Sequence, residues 1–189
     1  GSVFSVSQSC TMDAAAPASA AETLPALVAS PGFGIAWTAS DATSGVASVH
    51  LYVARDNGPY SEYAGGPFTT SPIAFDATTT GGDGSYAFYT IAQDAVGNVE
   101  AAPASADAQT TIDTSAPEAP AIAALPAYLA GTAAALAWND LGSGITAYRA
   151  QLSTTPNFAS IAQQSDWIAE QAYTFTGLAD GQAYWFRAQ

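Results

Sequence analysis

An all-β chain built of antiparallel sandwiches is the prediction, and three observations carry it. Apolar and polar residues alternate with period two in short runs. Those runs are bounded by clusters of Gly, Pro, Asn and Asp, and the whole pattern occurs twice along the 189 residues. No stretch shows the spacing of a long helix.

Taken in order, "FGIAW" (33–37) puts Phe33, Ile35 and Trp37 on one face of a strand. In "VASVHLYV" (46–53), Ala47, Val49, Leu51 and Val53 alternate with Ser48, His50 and Tyr52. "SYAFYTIAQ" (85–93) alternates in the same way. The second half supplies Leu136 with Trp138, then Tyr148, Ala150 and Leu152, then Tyr173 and Phe175. Turns are expected at "DNGP" (56–59), "GGDG" (81–84) and "ADG" (179–181), where Gly and Asn accept positive φ. One stretch, "TPNFASIAQQ" (155–164), predicts either a short helical turn or an irregular edge.

The repeat is legible in the letters. "CTMDAAAP" (10–17) lies over "TTIDTSAP" (110–117), "IAW" (35–37) over "LAW" (136–138), and "YTIAQ" (89–93) over "WFRAQ" (185–189). A period of about 100 residues is a whole domain rather than a solenoid unit. Counting strands A to G, the first copy is complete and the second stops in its sixth strand, F. The division is therefore 1–13 as the last strand of a preceding repeat or a donated strand, 14–113 as a complete sandwich, and 114–189 as a sandwich lacking its last strand. Pro117 and Pro120 predict a short extended link between the two copies.

Here the residues carry a family resemblance. The second copy, with Trp138 in strand B and "GLADGQAY" (177–184), resembles a fibronectin type III domain. The resemblance implies that Leu178 plugs the core and that Tyr184 is the corner tyrosine. The first copy, from "WTASDATSGVASVHLYV" to "DAVGNVE", resembles the bacterial Ig-like repeats of cell-surface and secreted proteins. That resemblance implies an extracellular or cell-surface setting and a non-catalytic role in spacing, adhesion or assembly. Such sandwiches host many unrelated functions, so the fold alone names no ligand.

Composition narrows the partners. Asp and Glu number 16 against 3 Lys and Arg, a net charge of −13. That surface repels phosphate backbones and anionic lipid, which argues against nucleic acid and membrane surfaces and leaves cations or a basic partner. No run reaches the ~20 apolar residues of a membrane span, and no charged-then-apolar leader opens the chain, so any targeting signal is expected outside this stretch. The single cysteine, Cys10, allows no internal disulfide and is expected as a partly buried strand residue, with an intermolecular disulfide as the other reading.

The candidate chemistry is sparse. Asp41 ends strand B, while Asp94 and Asn98 form the turn after strand F. In a sandwich these loops share one end, so the three residues form a candidate calcium site of oxygen ligands. Turn-shaping by the same side chains is the competing reading. No other cofactor is implied. His50, the one histidine, falls on the polar face of its strand, and Glu62 and Glu100 lie near strand ends without an acidic partner, so no catalytic pair is predicted. Tyr60, Tyr63, Phe68 and Trp167 are candidates for stacking on polysaccharide or for packing against the sheet. Finally, an incomplete second sandwich would expose Tyr184, Trp185 and Phe186 along an open edge. The N-terminal stretch with Val3, Phe4 and Val6 is the candidate strand that another copy donates to it. Other protein modules or copies of the chain itself are thus the expected partners, and the accessory module of a secreted hydrolase is the rival reading.

Overall fold

A computed structural model describes residues 8–142 and 144–189. Val3, Phe4 and Val6 lie outside the described residues. The chain divides into two compact units, the first ending at Ser115 and the second spanning Ala116–Gln189. Both are all-β.

The first unit holds β1 (Ala18–Ala21), β2 (Leu27–Val28), β3 (Gly32–Ile35), β4 (Trp37–Ser40), β5 (Val46–Arg55), β6 (Ser61–Glu62), β7 (Ile73–Asp76), β8 (Gly84–Asp94) and β9 (Ala108–Ile112). On one side β1 pairs with β4 and β3 with β7; on the other a five-stranded sheet runs in the order β2-β9-β8-β5-β6. With β3 and β4 as two halves of strand B, this is the Ig-like order, strands A, B and E facing A′, G, F, C and C′. Every pair is antiparallel except β2 with β9, where Leu27 sits opposite Thr111 and Val28 opposite Ile112.

Alternation does what the period-two pattern requires. Along β8 the inward residues Tyr86, Phe88, Thr90, Ala92 and Asp94 are buried, and along β9 so are Ala108, Thr110 and Ile112. The core centres on Phe75, 2% exposed, whose ring lies 5.4 Å from Phe33, 5.1 Å from Tyr63, 5.6 Å from Tyr86 and 5.0 Å from Phe88. These tilted and edge-on contacts are the arrangement aromatic quadrupoles favour. The turn after β5 takes Asp56 and Asn57 to φ of 51° and 59°, as a hairpin twist requires.

The second unit holds β10 (Ala133–Ala137), β11 (Ala150–Ser153), β12 (Gln163–Gln164), β13 (Ala172–Thr176) and β14 (Trp185–Ala188). β10 pairs with β13, and the opposing sheet runs β12-β11-β14. One edge of β14 therefore has no ladder partner among the described residues. Trp138, Tyr148, Leu152, Phe175 and Leu178 form the core. Leu178 is buried as expected, and the Tyr184 hydroxyl accepts the Ala179 N–H at 3.0 Å, which closes the tyrosine corner.

Several expectations are corrected. Residues 8–12 form no strand, and Cys10 and Met12 are exposed, because nothing among the described residues pairs with their backbone. The G strand of the first unit is short, Ala108–Ile112. Of the two readings of residues 155–164 the irregular edge holds: they form an irregular loop that ends in the edge strand β12, while a 3-10 turn occurs at Ala77–Thr79, capped by the Asp76 carboxylate accepting from Thr78 N–H.

The short G strand raises a question of accounting, since β8 runs past it and would leave backbone N–H groups bare. Two acidic side chains answer it. Glu100 N–H donates to Ala92 C=O and its carboxylate takes back the Ala92 N–H; Asp107 does the same with Phe88 C=O and Thr90 N–H. The same carboxylates reach across to β1, where Glu100 accepts from Ser19 N–H at 2.8 Å and Asp107 from Ala21 N–H at 3.0 Å. Ser19 and Ala21 are the alternate residues of β1 whose N–H groups point away from β4. The exposed edges of two different sheets are thus stitched together through oxygen atoms.

Candidate metal centre

Two loops of one design meet at one end of the first unit. Asp41 directly follows β4, and its Oδ1 accepts the N–H groups of Thr43 (3.1 Å), Ser44 (2.8 Å) and Gly45 (2.7 Å). Asp94 ends β8, and its Oδ1 accepts those of Val96 (3.0 Å), Gly97 (2.7 Å) and Asn98 (2.8 Å). In each case an aspartate curls the following residues around one oxygen, and a glycine supplies the positive φ: 82° at Gly45 and 99° at Gly97. Ala95 N–H donating to Gly45 C=O ties the loops to each other.

Asp13 completes the group. Its Oδ2 accepts the Ser44 N–H at 3.0 Å, its Oδ1 accepts Ala15 N–H at 3.1 Å, and its carbonyl faces the Asn98 amide nitrogen. Carboxylate oxygens of Asp13, Asp41 and Asp94 all lie within 4.8 Å of one another, with Asp94 buried and the other two half-buried. Asp41 and Asp94 thus come together as the sequence expects. Asn98 enters as a donor: its Nδ2 donates to Asp94 Oδ2 at 2.7 Å and to Ala15 C=O at 3.1 Å. Asp13 supplies the third carboxylate. The signal for it was present in the repeat, where Asp13 lies over Asp113, which closes the same short turn by accepting from Ser115 N–H.

Hydrogen bonds hold these charges in place. The Gly45 N–H lowers the pKa of Asp41, with Thr43 and Ser44 assisting, against burial and the nearby charge of Asp94. Burial pushes Asp94 upward, but donors from Asn98, Gly97 and Val96 outweigh it and keep the carboxyl below its ordinary value. Ionised carboxylates this close repel, and a hard cation that binds through oxygen is the species they suit. Asp41 Oδ2 accepts no hydrogen bond among the described residues, and the Oδ2 atoms of Asp13 and Asp94 each retain a lone pair. Asp13 thus joins Asp41 and Asp94 as a third carboxylate, and together they offer the oxygen donors that a hard cation takes.

The remaining candidates separate. His50 Nδ1 lies 2.6 Å from Glu62 Oε1 on the outer face of the five-stranded sheet, both partly exposed. Tyr63 and Phe68 pack against the first core, so only Tyr60 of that trio faces outward, 4.6 Å from Tyr89, which stacks in turn on Tyr52 at 5.0 Å. Trp167 is covered by the Arg149 guanidinium, 4.4 Å above its ring. Phe186 packs on Phe175 at 5.7 Å, Tyr184 is half-buried, and Trp185 on the outer face of β14 is exposed. No helix among the described residues is long and apolar enough to cross a membrane.

No family model matches the chain, and no curated protein matches it. Among solved structures, the crystal structure of chicken CNTN1 FN1-FN3 domains aligns with a TM-score of 0.42 at 11% sequence identity, covering 92% of this chain. The alignment takes in 58% of that chain, so this sequence spans well under two thirds of its neighbour's length.

Proposed function

We propose that the chain is a non-catalytic structural and interaction segment of a longer extracellular or cell-surface bacterial protein, serving to space, display or assemble other modules. The observation that supports this most is where its acidic groups are directed. Asp41, Asp94, Glu100, Asp107 and Asp83 all accept backbone N–H groups that shape loops or join strands. A carboxylate engaged in this way stabilises a scaffold; a catalytic one must be aimed at a substrate. The test is to label intact cells producing the full parent protein with an antibody against this chain. Surface labelling is expected, and signal confined to broken cells overturns the reading. A polysaccharide-binding accessory role is checked in the same material by retention on insoluble glycans and its loss in Tyr60→Ala.

Calcium is a second reading, supported by the three carboxylates within 4.8 Å. The chain's basic side chains are engaged elsewhere: Arg55 with Asp56 and Asp83 C=O, Arg149 over Trp167, and Arg187 with Gln151 and over Phe158. Calcium at a hundredfold excess over Kd would stabilise the first unit by about 2.7 kcal/mol. The check is thermal unfolding with calcium against EDTA at matched ionic strength, in the native chain and in Asp41→Asn. A rise in Tm lost in the variant supports the site; superimposable curves remove it.

A further inference from the structure

The register of the five-stranded sheet in the first unit lays out its outer face row by row. Tyr52 stands opposite Tyr89. One row along, Ala54 stands opposite Ala87, and Ala87 opposite Gln109. In the row after that, Ser85 stands opposite Thr111. All of these share one face, because side chains along a strand repeat with period two. The middle row has methyl groups at Ala54 and Ala87 where the row before it has phenol rings. A notch of about 270 Å³ results, lined by Ala54 and Ala87 together with Asn57, Ser85, Gln109 and Thr111.

The lining is uncharged, in a chain that carries 16 acidic and 3 basic residues. Among the described residues, the side-chain amides of Asn57 and Gln109 and the Thr111 hydroxyl enter no hydrogen bond within the protein. Thr110, whose side chain turns inward, instead donates to Pro25 C=O at 2.7 Å. The unengaged groups sit on rigid backbone. Gln109 and Thr111 belong to β9, held between β2 and β8. Asn57 is fixed at φ 59° in the turn that Gly58 N–H closes on Arg55 C=O at 2.8 Å. The tyrosine row supplies an aromatic flank. Tyr89 stacks on Tyr52 at 5.0 Å and lies 4.6 Å from Tyr60, which is 40% exposed.

Such a site selects its guest. A phosphate or carboxylate would meet no cation in the notch and the repulsive field of a chain of net charge −13. A guest with a rim of hydroxyls and an apolar C–H face suits it, because amides and a hydroxyl can bond the rim while the aromatic flank covers the C–H face. That is the chemistry of a sugar ring. The volume falls below the ~300–1,000 Å³ of pockets for drug-sized ligands, which fits one ring, and the sheet face lets a polymer run on to either side. We propose that the notch binds one uncharged sugar residue of a polysaccharide, with Asn57, Gln109 and Thr111 bonding its hydroxyls beside the Tyr60–Tyr89 flank. The proposal rests on the polysaccharide-binding reading above and names its site and ligand class.

The experiment is amide chemical-shift mapping of the isotope-labelled 189-residue chain with soluble dextran, galactomannan and mixed-linkage glucan, and with alginate as an acidic counterpart. Saturable shifts are expected at Ala54, Ala87, Gln109 and Thr111 with at least one neutral polymer, and none there with alginate. Gln109→Ala removes one exposed hydrogen-bonding side chain and should weaken binding roughly 2- to 12-fold. Ala87→Gln fills the notch and should abolish the shifts, with thermal unfolding showing that the variant is folded. No saturable shift with any of the three neutral polymers, equal shifts with alginate, or unchanged binding in Gln109→Ala overturns the proposal. Saturable shifts confined to another face, such as that of Trp167, overturn this site while the polysaccharide reading stands. Retention on insoluble glycans tests that reading separately.

Discussion

Glu100 and Asp107 do the same job with different atoms, and that difference is measurable. Asp107 uses one oxygen, Oδ2, for both Ala21 N–H and Thr90 N–H, each at 3.0 Å. Glu100 uses both: Oε1 takes Ser19 N–H at 2.8 Å, and Oε2 takes Ala92 N–H at 2.9 Å together with the Ser19 hydroxyl. An amide keeps one acceptor oxygen and replaces the other with an NH2 donor. Asp107→Asn can therefore retain both of its hydrogen bonds. Glu100→Gln cannot; it must turn a donor toward either Ser19 N–H or Ala92 N–H. Leaving one partly buried N–H without an acceptor costs about 1–3 kcal/mol. For a domain of this size that lowers Tm by roughly 4–8 °C per kcal/mol. Asp107→Asn gives up only charge assistance and should cost less than about 1 kcal/mol. The assay is urea unfolding of the two variants beside native hydrogen exchange at Ser19 and Ala92. Exchange should accelerate at one of those amides in Glu100→Gln and at neither in Asp107→Asn. Equal destabilisation by the two substitutions, or unchanged exchange in Glu100→Gln, would refute the stitching argument.

Other outcomes follow from the same physics. Asp41, Asp94, Asp83, Asp76 and Asp140 are all held below the ordinary carboxylate value of 3.8, so the stability they contribute is fully present above that pH and is lost as pH falls through their lowered values. Unfolding free energy should accordingly fall steeply only in the acid limb below pH 3.8, with a shallower limb in Asp41→Asn. Phe75→Ala empties the aromatic centre of the first core and should cost about 3–5 kcal/mol by denaturant unfolding. A Cβ at Gly58 would sit 2.9 Å from the Arg55 carbonyl oxygen, so Gly58→Ala should destabilise by about 1–3 kcal/mol, whereas Ser61→Ala nearby should stay within about 0.5 kcal/mol. Tyr184→Phe removes the acceptor of the Ala179 N–H and should lower stability by about 1 kcal/mol without altering the far-ultraviolet spectrum.

What could be read without a structure was what depends on neighbours along the chain. Alternation in 46–53 placed Leu51 and Val53 on one face, which the structure buries, because successive side chains of a strand leave opposite faces. Gly-bearing clusters marked the turns, and the offset of "CTMDAAAP" from "TTIDTSAP" marked the repeat. Asp41 and Asp94 could be assigned to one end because loop order follows strand order.

Tertiary structure decided what depends on partners far apart in sequence. Asp13 joins Asp41 and Asp94 only because Ser44 N–H holds its carboxylate and Asn98 its carbonyl. Glu100 and Asp107 resemble loop residues until β1 is seen beside β8 with N–H groups of both strands aimed at their oxygens. Segments 8–13 and 108–113 hold the same place in the repeat, yet Ile112 is 1% exposed and Met12 85%. The same pattern becomes a strand only where a second backbone lies alongside to accept its hydrogen bonds. Letters in a row record a strand's two faces, whereas its edges belong to whatever folds up against them.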